Sequence, residues 1–235
     1  MIRFPTFEQL GAAVAAMSDK NEGDCANRLD TVANRQSFLS HCGIELEDLV
    51  CVRQNHGTEI IAAIEQDRGR GAQGPDGAVA EADVLVTGVP GLPLGSTVAD
   101  CVPVFLLAPE HGVGGIVHAG RQGLRDNVVG KAVDTLDQRL GAEPRSLYAY
   151  IGPGAGPCCY EVSEEIAEDW RAADLPVEGR RLDLWLAARE QLRDGGVPSK
   201  HIAASERCTI CDGAFFSYRG QQTDVHDADD EVGGP

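Results

Sequence analysis

The spacing of apolar positions changes several times along the chain, and each change marks an element. Between residues 27 and 41, Leu29, Val32, Ala33, Phe38 and Leu39 recur at helical spacing and Gly43 follows as a stop, which predicts a helix. Residues 10–17, preceded by Pro5 and Glu8, read as a short amphipathic helix. Runs rich in β-branched residues at 49–52, 59–64, 84–87, 93–98, 102–107 and 115–118 are separated by Gly, Pro and Asp clusters, as strands are. Leu124, Val128, Ala132, Leu136 and Leu140 then step by four and predict a long helix packed on the sheet. Leu182, Trp185, Leu186 and Leu192 mark another, and 147–151 and 201–203 read as further strands. Helices and strands mix without strict alternation. The pattern predicts a single α/β (mixed α+β) domain over residues 1–220, a sandwich with a mixed β-sheet flanked by helices. Beyond it, at 221–235, Asp224, Asp227, Asp229, Asp230 and Glu231 crowd a stretch that reads as a solvated, disordered tail.

Charge narrows the partners. Among 235 residues, 20 Lys and Arg stand against 37 Asp and Glu, a net charge of −17 at pH 7. A field of that sign repels phosphate backbones and anionic bilayers, so neither nucleic acid nor a membrane is the expected partner. A small anionic substrate would need a local basic pocket inside that field. No apolar run approaches the length of a membrane span, and the start of the chain does not read as an export signal. The eight cysteines are therefore expected as reduced thiols of a cytoplasmic, monomeric protein, with packing, metal binding or catalysis to explain them.

Three segments place reactive side chains at strand ends: Gln54-Asn55-His56-Gly57, Ala99-Asp100-Cys101-Val102-Pro103 and Val117-His118-Ala119-Gly120. Strands at 102–108 and 114–117 flank a Pro-Glu-His-Gly turn, and an antiparallel return there brings Cys101 near His118. His56 would need a long-range contact to join them, and spacing does not supply it. Two His and one Cys suit zinc with a fourth position left for water. A Cys101–His118 nucleophile pair is the rival chemistry, and a buried thiol with a hydrogen-bonded histidine is the structural alternative to both. Elsewhere Cys158-Cys159 and Cys208-Thr209-Ile210-Cys211 are weighed as a four-cysteine metal site, against which stands the adjacency of the first pair. The Gly152-Pro153-Gly154-Ala155-Gly156-Pro157 run lacks the signatures of phosphate loops and reads as a rigid turn.

These segments also occur in a recognisable order. Asn34-Arg35, Gln54-x-His56-Gly57, Ala82-Asp83-x-Leu85-Val86-Thr87, Ala99-Asp100-Cys101-x-Pro103 and His118-Ala119-Gly120 are followed by Ile151-Gly152-Pro153 and Cys158-Cys159-Tyr160-Glu161-Val162. Cys208-Thr209 and Phe215-Phe216-Ser217-Tyr218-Arg219 complete a set that covers nearly the whole domain. In this the chain resembles the laccase-domain proteins, also called multicopper polyphenol oxidases and now understood as purine nucleoside enzymes. The resemblance implies a fold related to toxin cysteine deamidases and a zinc site with His56, Cys101 and His118 as ligands. It also implies phosphorolysis of adenosine, inosine and methylthioadenosine and hydrolytic deamination of adenosine, with nucleoside and phosphate as the partners. Around the ligands, Asp100 is a candidate to orient a ligand or act as acid/base, and equally one to cap backbone amides. Gln54, Arg35, Arg121 and Arg219 are the substrate-binding candidates, Arg35 because a planar guanidinium pairs bidentately with phosphate.

One departure stands out. The family's His-Ala-Gly-Trp-Arg-Gly reads His-Ala-Gly-Arg121-Gln122-Gly here, so the aromatic surface and the guanidinium expected at those positions are missing. Arg121 offers a cation one position early, which on an extended segment would point to the opposite face. Two readings of other classes follow: a non-catalytic binding protein, and a copper-dependent phenol oxidase. The second needs several His-rich copper sites, and six histidines in the chain are too few to build them readily.

Overall fold

A computed structural model describes residues 1–11 and 14–221. Apart from Gln221, the expected acidic tail lies outside the described residues. The elements are β1 (Ile2–Arg3), α1 (Pro5–Gln9), β2 (Ala16–Met17), α2 (Val32–His41), β3 (Val50–Cys51), β4 (Ile60–Ala62), β5 (Val84–Thr87), β6 (Leu94–Gly95) and β7 (Val102–Ala108). Then follow β8 (Val113–Ala119), α3 (Arg121–Arg125), α4 (Val128–Leu140), β9 (Tyr148–Ile151), α5 (Glu164–Ala172), β10 (Val177–Glu178), β11 (Arg181–Leu182), α6 (Leu184–Asp194) and β12 (Ile202–Ala204).

The centre is a six-stranded mixed sheet in the order β12-β9-β7-β8-β5-β4. Its outer pairs, β12 with β9 and β4 with β5, are parallel, while the inner pairs are antiparallel. Side chains alternate across it with period two. Val84, Val86, Val102, Val104, Leu106 and Val117 point to a core closed by Leu124, Val129, Val133 and Leu136 of α3 and α4 and by Leu184, Ala188 and Leu192 of α6. On the other face Leu85 and Ile116 pack with Val50, Val52 and Leu92, while Phe105 and Leu107 meet Phe4 and Phe7. Helices α3, α4 and α6 therefore cover one face, and α1 with short strands and loops the other. Among the described residues no helix is long and apolar enough to cross a membrane.

The predicted strands and the helix that ends before Gly43 form, and three features differ. The stretch expected as a helix at 10–17 instead ends in β2, which pairs with β1, and the helical turn lies earlier, at α1 with Pro5 as its first residue. The long helix expected from Leu124 is two helices, because Asn127 adopts a left-handed backbone with φ 62° between α3 and α4. Helix α5 has a narrow stripe of Ile166, Ala167 and Trp170 amid five charged residues, too weak a signal to read. Its start is set by Ser163, whose hydroxyl accepts the Ile166 amide.

Candidate functional site

The β7–β8 hairpin builds the site from local pairing. Pro103 lies opposite His118 and Val102 opposite Ala119, so Cys101, one residue before β7, sits beside the C-terminal end of β8. His56 arrives from the loop between β3 and β4. The Nδ1 or Nε2 atoms of the two histidines and the Cys101 Sγ all lie within 4.8 Å of one another, and burial deepens from exposed His56 through Cys101 to buried His118. The two imidazoles meet edge to face with centroids 4.9 Å apart. Two residues here, His56 at φ 62° and Asp100 at φ 82°, hold left-handed backbone conformations that cost non-glycine residues energy and that cluster at functional sites. Gly120 completes the enclosure: a Cβ there would lie 3.0 Å from Cys101 Sγ and 3.2 Å from His56 Cδ2, so only glycine leaves the triplet its room.

Asp83 holds the two histidines together. Its carboxylate, with no side-chain exposure, accepts the His118 Nδ1 hydrogen at 2.7 Å. It also accepts the backbone amides of His56 at 3.0 Å and Gly57 at 2.7 Å, which fixes the loop that carries His56. With Nδ1 committed to Asp83, His118 presents Nε2 toward Cys101 and His56, the arrangement by which carboxylates orient metal-binding imidazoles. Burial pushes the Cys101 thiol up, but hydrogen bonds and charge from His118 and His56 outweigh it and bring the thiol down to about 7. Burial opposes the charged form of His118 too, and Asp83 and Cys101 overcome it, raising the imidazole to about 9. A soft thiolate and two imidazoles, one oriented from behind by a carboxylate, fit a zinc ion by donor type, number and separation.

The other sequence candidates fall into two groups. Asp100 accepts the Thr209 hydroxyl and the Arg219 amide, each at 2.7 Å, so both carboxylate oxygens tie the C-terminal segment to the hairpin. Gln54 exchanges hydrogen bonds with the backbone of Thr97 at 2.8 and 2.9 Å and likewise orders a loop. Arg35 is corrected from an anion contact: it is buried, and its guanidinium donates to the carbonyls of Ala26, Arg28, Ala72 and Gln73. It borders a separate apolar cleft with Phe38, Leu39 and Leu94 that includes none of the triplet.

Arg219 packs on Tyr160, and the charges of Arg121 and Arg219 both act on its phenol. Arg219 lies 5.3 Å from the centroid of the Tyr160 ring. Burial pushes the Tyr160 phenol up against the opposing charges of Arg121 and Arg219, and Cys101 lies near enough to act on it as well. Arg121 does not sit on an extended segment. It is the first residue of α3, and the turn of the helix replaces the strand alternation that would have sent it away. Among the described residues Arg121 pairs with no carboxylate. Gln122 instead reaches along the helix to Asp126 at 2.9 Å. Sequence reasoning missed Tyr160 and the role of Asp83. Both lie in segments singled out for other residues, and what identifies them is contact rather than spacing, Asp83 with His118 and Tyr160 with Arg219.

With this geometry in place, comparison with known proteins is informative. Residues 14–225 match the family model described as multi-copper polyphenol oxidoreductase laccase. The chain is 39% identical over 204 residues to the purine nucleoside phosphorylase YlmD of Geobacillus stearothermophilus, covering 82% of this chain and 74% of that protein. It is 31% identical over 196 residues to the adenosine deaminase RL5 of an unknown prokaryotic organism, covering 79% and 74%. The crystal structure of YlmD from Geobacillus stearothermophilus superposes with a TM-score of 0.77 at 38% identity, over 82% of this chain and 76% of that one. The chain therefore belongs to the laccase-like polyphenol oxidoreductase family, an enzyme family whose relatives carry the names of purine nucleoside phosphorylase and adenosine deaminase.

Proposed function

We propose that this chain is a zinc-dependent purine nucleoside enzyme of the cytoplasm, carrying out phosphorolysis of adenosine, inosine and methylthioadenosine and hydrolytic deamination of adenosine. The observation that carries the reading is the convergence of His56, Cys101 and His118 in front of Asp83, in a chain whose relatives bear both activity names. Zinc held there would supply a Lewis acid and lower the pKa of a water toward about 7. The protein's own groups do the rest. Asp83 keeps the Nδ1 hydrogen of His118 in place, Gly120 leaves the reacting groups room, and Arg121 and Arg219 offer an anion the local positive field that the acidic molecule otherwise denies it. In phosphorolysis the bond between ribose and base is exchanged for one between ribose and phosphate oxygen, so this second, anionic substrate needs those cations. Deamination does not. Among the described residues the triplet is the only ligand cluster that contains histidine, which supports zinc over a multicopper oxidase.

Incubation with adenosine, with and without phosphate, tests the proposal by resolving adenine, inosine and hypoxanthine. Adenine is expected only with phosphate and inosine in both cases; absence of all three products in metal-loaded protein would remove the reading. Arg121→Ala is expected to slow phosphorolysis about ten- to a hundredfold, the worth of a charge-assisted contact of roughly 1.5–3 kcal/mol, and to leave deamination within a few-fold. Equal losses in both reactions would place Arg121 in nucleoside binding instead.

The close approach of Cys101 to His118 also favours a second reading, a metal-free thiol nucleophile, because the two histidines bring the thiol to about 7.

A further inference from the structure

The fold gathers a second set of ligands that the nucleoside reading does not use. Cys158 and Cys159 follow the turn after β9, and Cys208 and Cys211 follow β12. Although Cys158 and Cys211 stand 53 positions apart in the sequence, the four Sγ atoms all lie within 4.8 Å of one another. Cys158 Sγ and Cys211 Sγ are 3.8 Å apart. A tetrahedron with zinc–sulfur bonds of about 2.3 Å has edges of about 3.8 Å, so the spacing is that of ligands around one ion.

The adjacency of Cys158 and Cys159 stops being an objection once their backbone is seen. On a strand, neighbouring side chains point to opposite faces. Here the chain turns, with the amides of Cys159 and Tyr160 both donating to the Gly156 carbonyl at 3.0 and 2.9 Å, and both thiols reach the same side. The scaffold is built for a thiolate. Cys208 Sγ accepts the Gly156 amide at 3.3 Å. Backbone amides aimed at sulfur stabilise its charged form. The two segments are also locked together by main chain, through Gly154 N to Arg207 O at 3.2 Å and Thr209 N to Gly154 O at 3.0 Å. Gly156 permits this approach, since a Cβ there would meet the Trp185 ring at 2.4 Å.

We infer that Cys158, Cys159, Cys208 and Cys211 bind one structural zinc ion. The ion joins the turn after β9 to the C-terminal segment. Tyr160 directly follows Cys159, and the C-terminal segment delivers Thr209 and Arg219 to Asp100, beside Cys101. The clamp therefore fixes the segments that carry Tyr160 and Arg219 while taking no part in the chemistry of the triplet. Four thiolates close the coordination, leaving no position for water, as structural zinc sites do.

Metal content of the full chain, purified with zinc under reducing conditions, tests this independently of any activity. Cys158→Ser/Cys211→Ser replaces the two exposed ligands and is expected to lose about one zinc per chain relative to the parent, with far-ultraviolet circular dichroism as the control for folding. Should that variant not fold, cobalt loading of Cys101→Ala protein decides the matter. With the triplet disabled, the intense sulfur-to-cobalt charge-transfer bands and tetrahedral ligand-field bands of a four-thiolate site are expected. Unchanged zinc content in a folded double variant, iron in place of zinc, a Cys158–Cys211 disulfide in the reduced preparation, or cobalt without thiolate bands would each overturn the inference.

Discussion

Cys101→Ala protein is expected to fold, to lose its metal at the triplet and to lose nucleoside turnover. Of the three ligands, Cys101 is the one that carries the negative charge, and an open three-ligand zinc site has none to spare. Outer-sphere partners alone are worth roughly ten- to a hundredfold in metal affinity, so removal of a ligand costs more than that. The structural cost is small, about 1 kcal/mol, because the thiol is short and only half-buried and its loss opens space toward Gly120 rather than creating a strained contact. Zinc content and adenosine turnover on the same preparation check it. Full metal retention with loss of turnover alone would replace the ligand role by the nucleophile role.

Asp83 separates two effects that a single substitution would confuse. Asp83→Ala leaves His118 Nδ1 and the amides of His56 and Gly57 without their acceptor. A buried donor left unpaired costs about 1–3 kcal/mol and a part-buried one less, so with His118 buried and the two loop amides part-buried the expected loss of stability is roughly 3–5 kcal/mol, a large fall in melting temperature. Asp83→Asn keeps the shape and one acceptor oxygen. Its expected effect falls on the metal, because an amide no longer supplies the negative charge that holds the Nδ1 hydrogen and directs Nε2 forward. Zinc affinity, measured by competition with a chromophoric chelator, is expected to drop roughly ten- to a hundredfold while the protein stays folded. Unaltered affinity in Asp83→Asn would mean that the carboxylate serves only the loop.

What the sequence disclosed, and what it withheld, follows from contact range. Cys101 and His118 were legible because one hairpin with a four-residue turn fixes their register. The apolar run at 102–107 likewise marked a strand, and the structure covers it on both faces. His56 was not reachable that way. Its place depends on a carboxylate 27 residues downstream accepting its amide, and such a contact leaves no periodic trace. Arg121 was misdirected because a five-residue helix is too short to show a period, so the segment read as a continuation of the strand before it. Arg35 read as an anion contact because a guanidinium in a recognised motif carries no sign of whether backbone carbonyls already occupy it. The convergence of Cys158 and Cys159 with Cys208 and Cys211 leaves no trace in the sequence for a similar reason, since turn geometry rather than spacing decides whether adjacent thiols converge.

The most direct test of the central claim is the metal dependence of turnover. Protein stripped by a chelator should form neither inosine from adenosine nor adenine from adenosine and phosphate, and both activities should return together as zinc is titrated back, with Cys101→Ala protein unresponsive. Full turnover in stripped protein, with no further gain on adding zinc, would contradict the account and leave the Cys101–His118 pair to do the chemistry alone.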